Sequence, residues 1–84
     1  MPSITINYDD PKKNFMASTT IPRARARVAG KADPNLKVTK KGATKPVYNQ
    51  TVGTADQNLP QLEDSETYTA EGTFESGQNI TIDY

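Results

Sequence analysis

Hydrophobic and polar residues alternate with a period of two along much of the chain, and this spacing predicts short β-strands. Ile4, Ile6 and Tyr8 fall on one face of a strand predicted over residues 3–8. Residues 36–40 repeat the pattern, with apolar side chains on one face and polar ones on the other. Because such alternation turns one face toward a core, each segment is expected to be half-buried.

Turn-forming residues divide the rest of the chain. A turn cluster is predicted over residues 9–14, and further strands are predicted over residues 15–21, 46–54 and 67–70. The dipeptide Glu71-Gly72 indicates a bulge or a bend, and residues 73–83 are predicted to form a closing hairpin. Residues 55–65 have no strand pattern and are expected to form a longer irregular loop. Its leucines, Leu59 and Leu62, would either anchor the loop to the body or dock into a neighbour.

The most distinctive stretch is residues 21–30, in which arginines alternate with small apolar residues. On a strand, Arg23, Arg25 and Arg27 share one face and the small residues share the other. On a helix the same arginines would spread around the axis without a common face. The stretch therefore predicts a strand with one cationic face.

These elements predict an all-β fold, a small antiparallel sandwich or barrel of about six to eight short strands with little or no helix. The 84 residues are expected to form a single small domain. Leu, Ile, Val and Phe supply only 14 of the 84 residues, so the core is small. Eleven threonines and four tyrosines nevertheless favour strands over disorder.

The zero net charge conceals a strong asymmetry along the chain. All ten basic residues lie between Lys12 and Lys45, where Asp33 is the only acid. Residues 46–84 contain seven acids and no base. Such segregation is typical of a chain with a charged partner or with self-complementary surfaces. We expect the acidic C-terminal half to offset the arginines, either within the chain or between copies of it.

Catalysis and metal binding have little support in the composition. The chain contains no His and no Cys, so the usual general base, thiolate nucleophile and zinc ligands are missing. The five glycines are scattered singly and form no phosphate-binding loop. We therefore expect no enzymatic activity, no catalytic or metal site and no cofactor.

No apolar run is long enough for a transmembrane helix, and the N-terminal residues lack the apolar segment of a signal peptide. We expect synthesis in a cytoplasm, no membrane partner, and an endpoint in an assembled virus particle.

The two ends of the chain carry the same pattern, Ile-Thr-Ile-Asx-Tyr, at residues 4–8 and 80–84. This match is expected by chance among half-buried strands. The alternative is that both ends are edge strands that pair within the chain or with a neighbour.

Taken together, these features predict a non-enzymatic structural or assembly protein that acts as a repeated subunit, such as a small phage capsid-decorating or tail-associated protein. Its partners would be copies of itself or a larger shell or tail protein, bound through a basic face and the terminal strands. The partner-binding residues are Arg23, Arg25, Arg27, Lys31, Lys37 and Lys41. The residues of the assembly strands are Ile4, Ile6, Tyr8, Ile80, Ile82 and Tyr84.

Two alternatives use the same sequence features. The basic segment 12–45 would suit nucleic acid or another polyanion, with Lys37 and Lys41 widening the arginine face. Phe15 is the only aromatic residue among the bases, and the sequence pI is about 6.2, so this alternative ranks second. A small phage-type inhibitor of a host protein is the third hypothesis.

Overall fold

The computed structural model describes residues 2–17, 24–30, 33–53 and 56–84, and these form an antiparallel β-sandwich. Its eight strands are β1 (Ser3–Asn7), β2 (Lys12–Met16), β3 (Arg25–Ala29), β4 (Asn35–Lys40), β5 (Tyr48–Thr51), β6 (Gln57–Asn58), β7 (Thr67–Thr73) and β8 (Asn79–Asp83). The described ranges contain no helix. The predicted all-β class, the sandwich architecture and the number of short strands are confirmed.

The strands form two four-stranded sheets. Sheet A has the order β1-β8-β3-β6, and sheet B has the order β2-β7-β4-β5. Only β4 and β5 are consecutive strands of one sheet, and every other connection crosses between the sheets. The predicted closing hairpin is therefore wrong, because β7 and β8 lie in different sheets. The turn between them is closed by the Gln78 N–H, which donates to the Glu75 carbonyl at 3.1 Å.

The core lies between the sheets and follows the predicted period of two. Ile6, Ala26, Ile80 and Ile82 point inward from sheet A. Sheet B contributes the buried side chains Phe15, Leu36, Val38, Tyr48, Tyr68 and Ala70. Full burial of a side chain such as Ile or Leu contributes about 1.5–3 kcal/mol.

The first turn is shorter than predicted. The side-chain Oδ1 of Asn7 accepts hydrogen bonds from the backbone N–H groups of Asp9 and Asp10, at 2.9 and 3.0 Å. This Asx turn ends β1 before Tyr8, whose predicted place on the apolar face is wrong, since the residue is 55% exposed. It also allows β2 to begin at Lys12, inside the predicted turn cluster.

β7 continues through the predicted bulge. Lys12 is the register partner of Glu71 on one side, and Leu36 is the partner of Gly72 on the other. The ring of Phe74 covers the inward side of Gly72, where a Cβ atom would lie 2.1 Å from Phe74 Cε2. The glycine therefore serves a close packing contact in a regular strand.

The long segment before β7 is anchored to the sandwich. It contains the two-residue strand β6, which pairs with β3. Leu59 and Leu62 are both buried in the core of their own chain, so the alternative that they dock into a neighbour is wrong. Tyr68 Oη accepts a hydrogen bond from the Glu63 N–H at 2.8 Å and fixes the end of the segment.

Candidate docking surfaces

Two arginines of the predicted cationic face are matched by acids of the same chain. Arg25 and Arg27 point outward from β3, while Ala24 and Ala26 on alternate positions are buried. Arg27 Nε lies 3.2 Å from Asp83 Oδ2 on the neighbouring strand β8. Arg25 Nη1 lies 3.7 Å from an oxygen of Asp56, which precedes β6. The strand with one cationic face is confirmed for these two arginines, and its charge is matched locally.

Arg23 and Lys31, two of the predicted partner-binding residues, lie outside the described residues. Lys37 lies on β4 in sheet B, and Lys41 directly follows that strand. The outer faces of the two sheets point away from each other, so these lysines do not widen the arginine face. The prediction of one continuous basic patch is wrong, because alternation alone does not reveal which sheet a strand joins.

A second basic surface lies on the outer face of sheet B. It surrounds an open groove of about 350 Å³. We call this the lysine surface, and the side chains that line its groove are Lys12, Lys37, Thr39, Lys40, Lys41, Thr69 and Glu71, together with Gly42 and Ala43. Its residues come from β2, β4, β7 and the turn after β4, so only the sheet brings them together.

The charges of the lysine surface are only partly balanced. Glu71 has Lys12 as its register partner on β2 and Lys37 as its register partner on β4. Within the described part of the chain, neither lysine nor Lys41 forms an ion pair with a carboxylate. Lys40 differs, because its Nζ donates to Glu63 Oε2, and this hydrogen bond raises the pKa of Lys40 above its ordinary value.

Met16 adds an apolar group to the same outer face. It occupies the position of β2 that alternates outward with Lys12 and Asn14, and it is 59% exposed. Methionine is enriched at protein interfaces and adapts its shape to irregular surfaces. The outer face of sheet B therefore combines unpaired positive charge with an exposed apolar side chain.

The terminal strands pair with each other inside the chain. Ile4 opposes Ile82, Thr5 opposes Thr81 and Ile6 opposes Ile80. β8 also pairs with β3 on its other side, so it is not an edge strand, and its predicted addition to a neighbour's sheet is wrong. β1 remains an edge of sheet A.

The assigned side chains of these strands are mostly unavailable to a partner. Ile6, Ile80 and Ile82 are fully buried in the core. Tyr84 is half-buried, and its ring centroid lies 4.8 Å from that of Phe15. Ile4 is also half-buried, since it lies on an edge strand.

Two further features are absent from the described residues. No group of three or more acidic side chains there is arranged to hold a metal ion. A search of the same ranges for helices with the length and apolar character needed to cross a membrane found none.

Met16 and Glu71 were not assigned to a site from the sequence, and Lys12 was included only in the basic segment 12–45. The alternation of Lys12, Asn14 and Met16 around the buried Phe15 indicated an outer strand face here, but the predicted turn obscured it. Comparison with known proteins adds no assignment: the chain matches no protein-family model, no curated protein and no solved structure.

Proposed function

We propose that this protein is a non-enzymatic docking and assembly protein whose lysine surface binds an acidic surface of a protein partner. The observation that carries the proposal is a contrast between two basic faces. Arg25 and Arg27 each have a carboxylate of their own chain within 4 Å, whereas Lys12, Lys37 and Lys41 have none among the described residues. An exposed Met16 on the lysine face supplies the apolar contact that protein interfaces use.

The composition of the groove favours protein over nucleic acid as the partner. Glu71 lies between Lys12 and Lys37 in the register, so the lysines do not form the uninterrupted row of positive charge that would follow a phosphate backbone. None of the described residues that line the groove is aromatic, so these residues offer bases no surface on which to stack. A mixed surface of alternating charge instead suits a protein surface that carries acids around a basic group.

The specific version of this proposal is a repeated subunit of a larger shell, such as a capsid-decorating or tail-associated protein of a phage. It is supported by the small size of the chain and by its two separate charged faces. In this version the chain occurs in purified particles at a fixed copy number, which quantitative mass spectrometry of the particles measures. An inhibitor of a host protein would use the same lysine surface but would be absent from particles.

The docking surface is tested by a matched pair of double variants. Lys12→Gln/Lys37→Gln and Arg25→Gln/Arg27→Gln remove the same charge from opposite faces of the sandwich. Fluorescence anisotropy with labelled polyglutamate at low and physiological salt measures binding to carboxylates. We expect the lysine variant to lose most of the affinity and the arginine variant to retain it.

Two results would overturn the proposal. Loss of polyglutamate binding in the arginine variant alone would move the docking surface to sheet A. Tighter binding to a single-stranded oligonucleotide than to polyglutamate, with a steep salt dependence, would indicate a nucleic-acid-binding protein instead.

A further inference from the structure

The outer edge of β1 carries backbone groups with no partner in the described part of the chain. The Tyr84 N–H donates to the Pro2 carbonyl at 2.9 Å, which fixes the hydrogen-bonding phase of the β1–β8 ladder. Even-numbered residues of β1 therefore direct their backbone groups toward β8. Ser3, Thr5 and Asn7 direct theirs away from it.

Asn7 is already satisfied on this outer side. Its N–H donates to the Asp10 carbonyl at 3.2 Å, and its carbonyl accepts from the Asp10 N–H at 3.1 Å. The available groups are therefore the N–H and C=O of Ser3 and Thr5. An added antiparallel strand forms hydrogen bonds with all four groups only when the residues opposite Ser3 and Thr5 direct their own N–H and C=O groups toward β1.

The sequence of β1 is suited to pairing with itself. Its residues are Ser-Ile-Thr-Ile-Asn, without charge, proline or glycine, whereas the neighbouring edge strand β2 begins with Lys12 and Lys13. Charged edges resist strand addition, and an uncharged edge of Ile and Thr does not. The β1–β8 ladder already contains one element of such a pairing, because Ile4 of β1 lies opposite Ile82 of β8 on the inner face.

We infer that β1 pairs antiparallel with β1 of a second copy of the chain, about a two-fold axis at Ile4. Ser3 of each copy then opposes Thr5 of the other, and the four free backbone groups of each edge are hydrogen-bonded. The two Ile4 residues oppose each other on the inner side of the joined sheet, where each completes the burial that its edge position leaves open. The two A sheets become one continuous eight-stranded sheet.

A register centred on Thr5 is less favourable. It places Ser3 opposite Asn7, whose backbone groups are held by Asp10. The Asx turn at the end of β1 thus selects the register centred on Ile4.

This inference deepens the proposed function, since it names the chain's own second copy as one partner of a repeated subunit. Its surface is distinct from the lysine surface. Lys12→Gln/Lys37→Gln is therefore expected to leave dimerisation unchanged, so the two proposals fail independently.

Single cysteines test the register directly, because the chain has no cysteine of its own. Ile4→Cys, Ser3→Cys and Thr5→Cys are each exposed to mild oxidation and analysed on non-reducing gels. In the proposed register the two Cα atoms at position 4 lie about 4.5 Å apart, within reach of a disulfide. Those at positions 3 and 5 are roughly 8 Å from their counterparts, beyond that reach. We expect a rapid covalent dimer only from Ile4→Cys.

The uncrosslinked chain provides the second measurement. Thr5→Pro removes an outward N–H without breaking the ladder to β8, and Thr5→Val removes the hydroxyl but keeps that N–H. Sedimentation equilibrium should show that the proline variant weakens dimerisation roughly tenfold or more, while the valine variant remains dimeric. A wild-type chain that is monomeric at millimolar concentration overturns the inference. Preferential crosslinking of Thr5→Cys overturns the register.

Discussion

The ring of Phe74 occupies the space that a side chain at Gly72 would need. A Cβ atom built on Gly72 lies 2.1 Å from Phe74 Cε2 and 2.2 Å from Phe74 Cζ. Gly72 is at an inward, buried position of β7, and the ring two residues later folds back over it. The contact lets a half-buried aromatic side chain complete the core at the point where β7 leaves sheet B.

We predict that Gly72→Ala destabilises the protein by about 1–3 kcal/mol, because the aromatic ring must move. Urea unfolding followed by circular dichroism measures the change. Gly53→Ala is the matched control, since nothing lies within 4 Å of its added Cβ. Its effect is expected to stay within about 1 kcal/mol of the wild type, in the stabilising direction.

The double variant Gly72→Ala/Phe74→Leu separates this steric explanation from a backbone one. If the clash is with the ring, the shorter leucine relieves part of it, and the two substitutions are not additive. Strict additivity would contradict the packing role of Gly72.

A second prediction concerns the hydroxyl of Tyr68. It accepts a partly buried hydrogen bond from the Glu63 N–H at 2.8 Å. Tyr68→Phe leaves this donor without its partner, so we expect a loss of about 1 kcal/mol in the free energy of unfolding. Hydrogen exchange should show faster exchange of the Glu63 amide, with little change in the amides of β1. An unchanged exchange rate at Glu63 would show that the hydrogen bond does not hold the segment.

Local patterns in the sequence predicted most of the strands but not which strands are neighbours. Alternation around Leu36 and Val38 predicts a half-buried strand, because the period of two depends only on the backbone of that segment. Which strands are neighbours depends on contacts between distant segments. The sequence shows that the patterns beginning at Ile4 and Ile80 match. Only the register of β1 and β8 shows that these residues lie near each other in one ladder.

The candidate site was harder to predict than the fold for the same reason. The acids that neutralise Arg25 and Arg27 could not be named from the sequence, because Asp56 and Asp83 are far away along the chain. Lys12 and Lys37 come together only through β7, which lies between their strands. The distribution of charge along a sequence therefore shows how many charged residues are present but not which of them share a surface in the fold.

Tyr48 provides a prediction for alkaline pH. Burial raises the pKa of Tyr48 above its ordinary value of 10.0, because the ionised form is poorly solvated there. The unfolded chain therefore loses this proton at a lower pH than the folded chain. The resulting stability is fully present below pH 10.0 and is lost as the pH rises toward the folded pKa.

Tyr48→Phe should remove this part of the alkaline loss. No described residue forms a hydrogen bond with the Tyr48 hydroxyl, so the variant is expected to be nearly as stable as the wild type at pH 7. The difference between the two proteins should then change in favour of the variant above pH 10.0. Urea unfolding across this range measures it. A difference that is constant with pH would contradict the assignment to Tyr48.

The last prediction concerns the balance of charge on the arginine face. Arg27 Nε and Asp83 Oδ2 are 3.2 Å apart on neighbouring strands. The side chain of Arg27 is half exposed, so a double-mutant cycle of Arg27→Gln and Asp83→Asn should give a coupling of about 0.2–1 kcal/mol. The coupling should fall in 1 M salt, where the screening length is about 3 Å.

The sign of the single arginine variant decides between two roles for this face. If Asp83 compensates Arg27, Arg27→Gln lowers the free energy of unfolding slightly, and the face needs no external partner. If repulsion between Arg25 and Arg27 dominates, the same variant raises the free energy of unfolding. The arginines would then be available to bind acids of a partner. We expect the first result, because each arginine already has a carboxylate within 4 Å. A more stable variant would show that Asp83 does not offset the charge of Arg27.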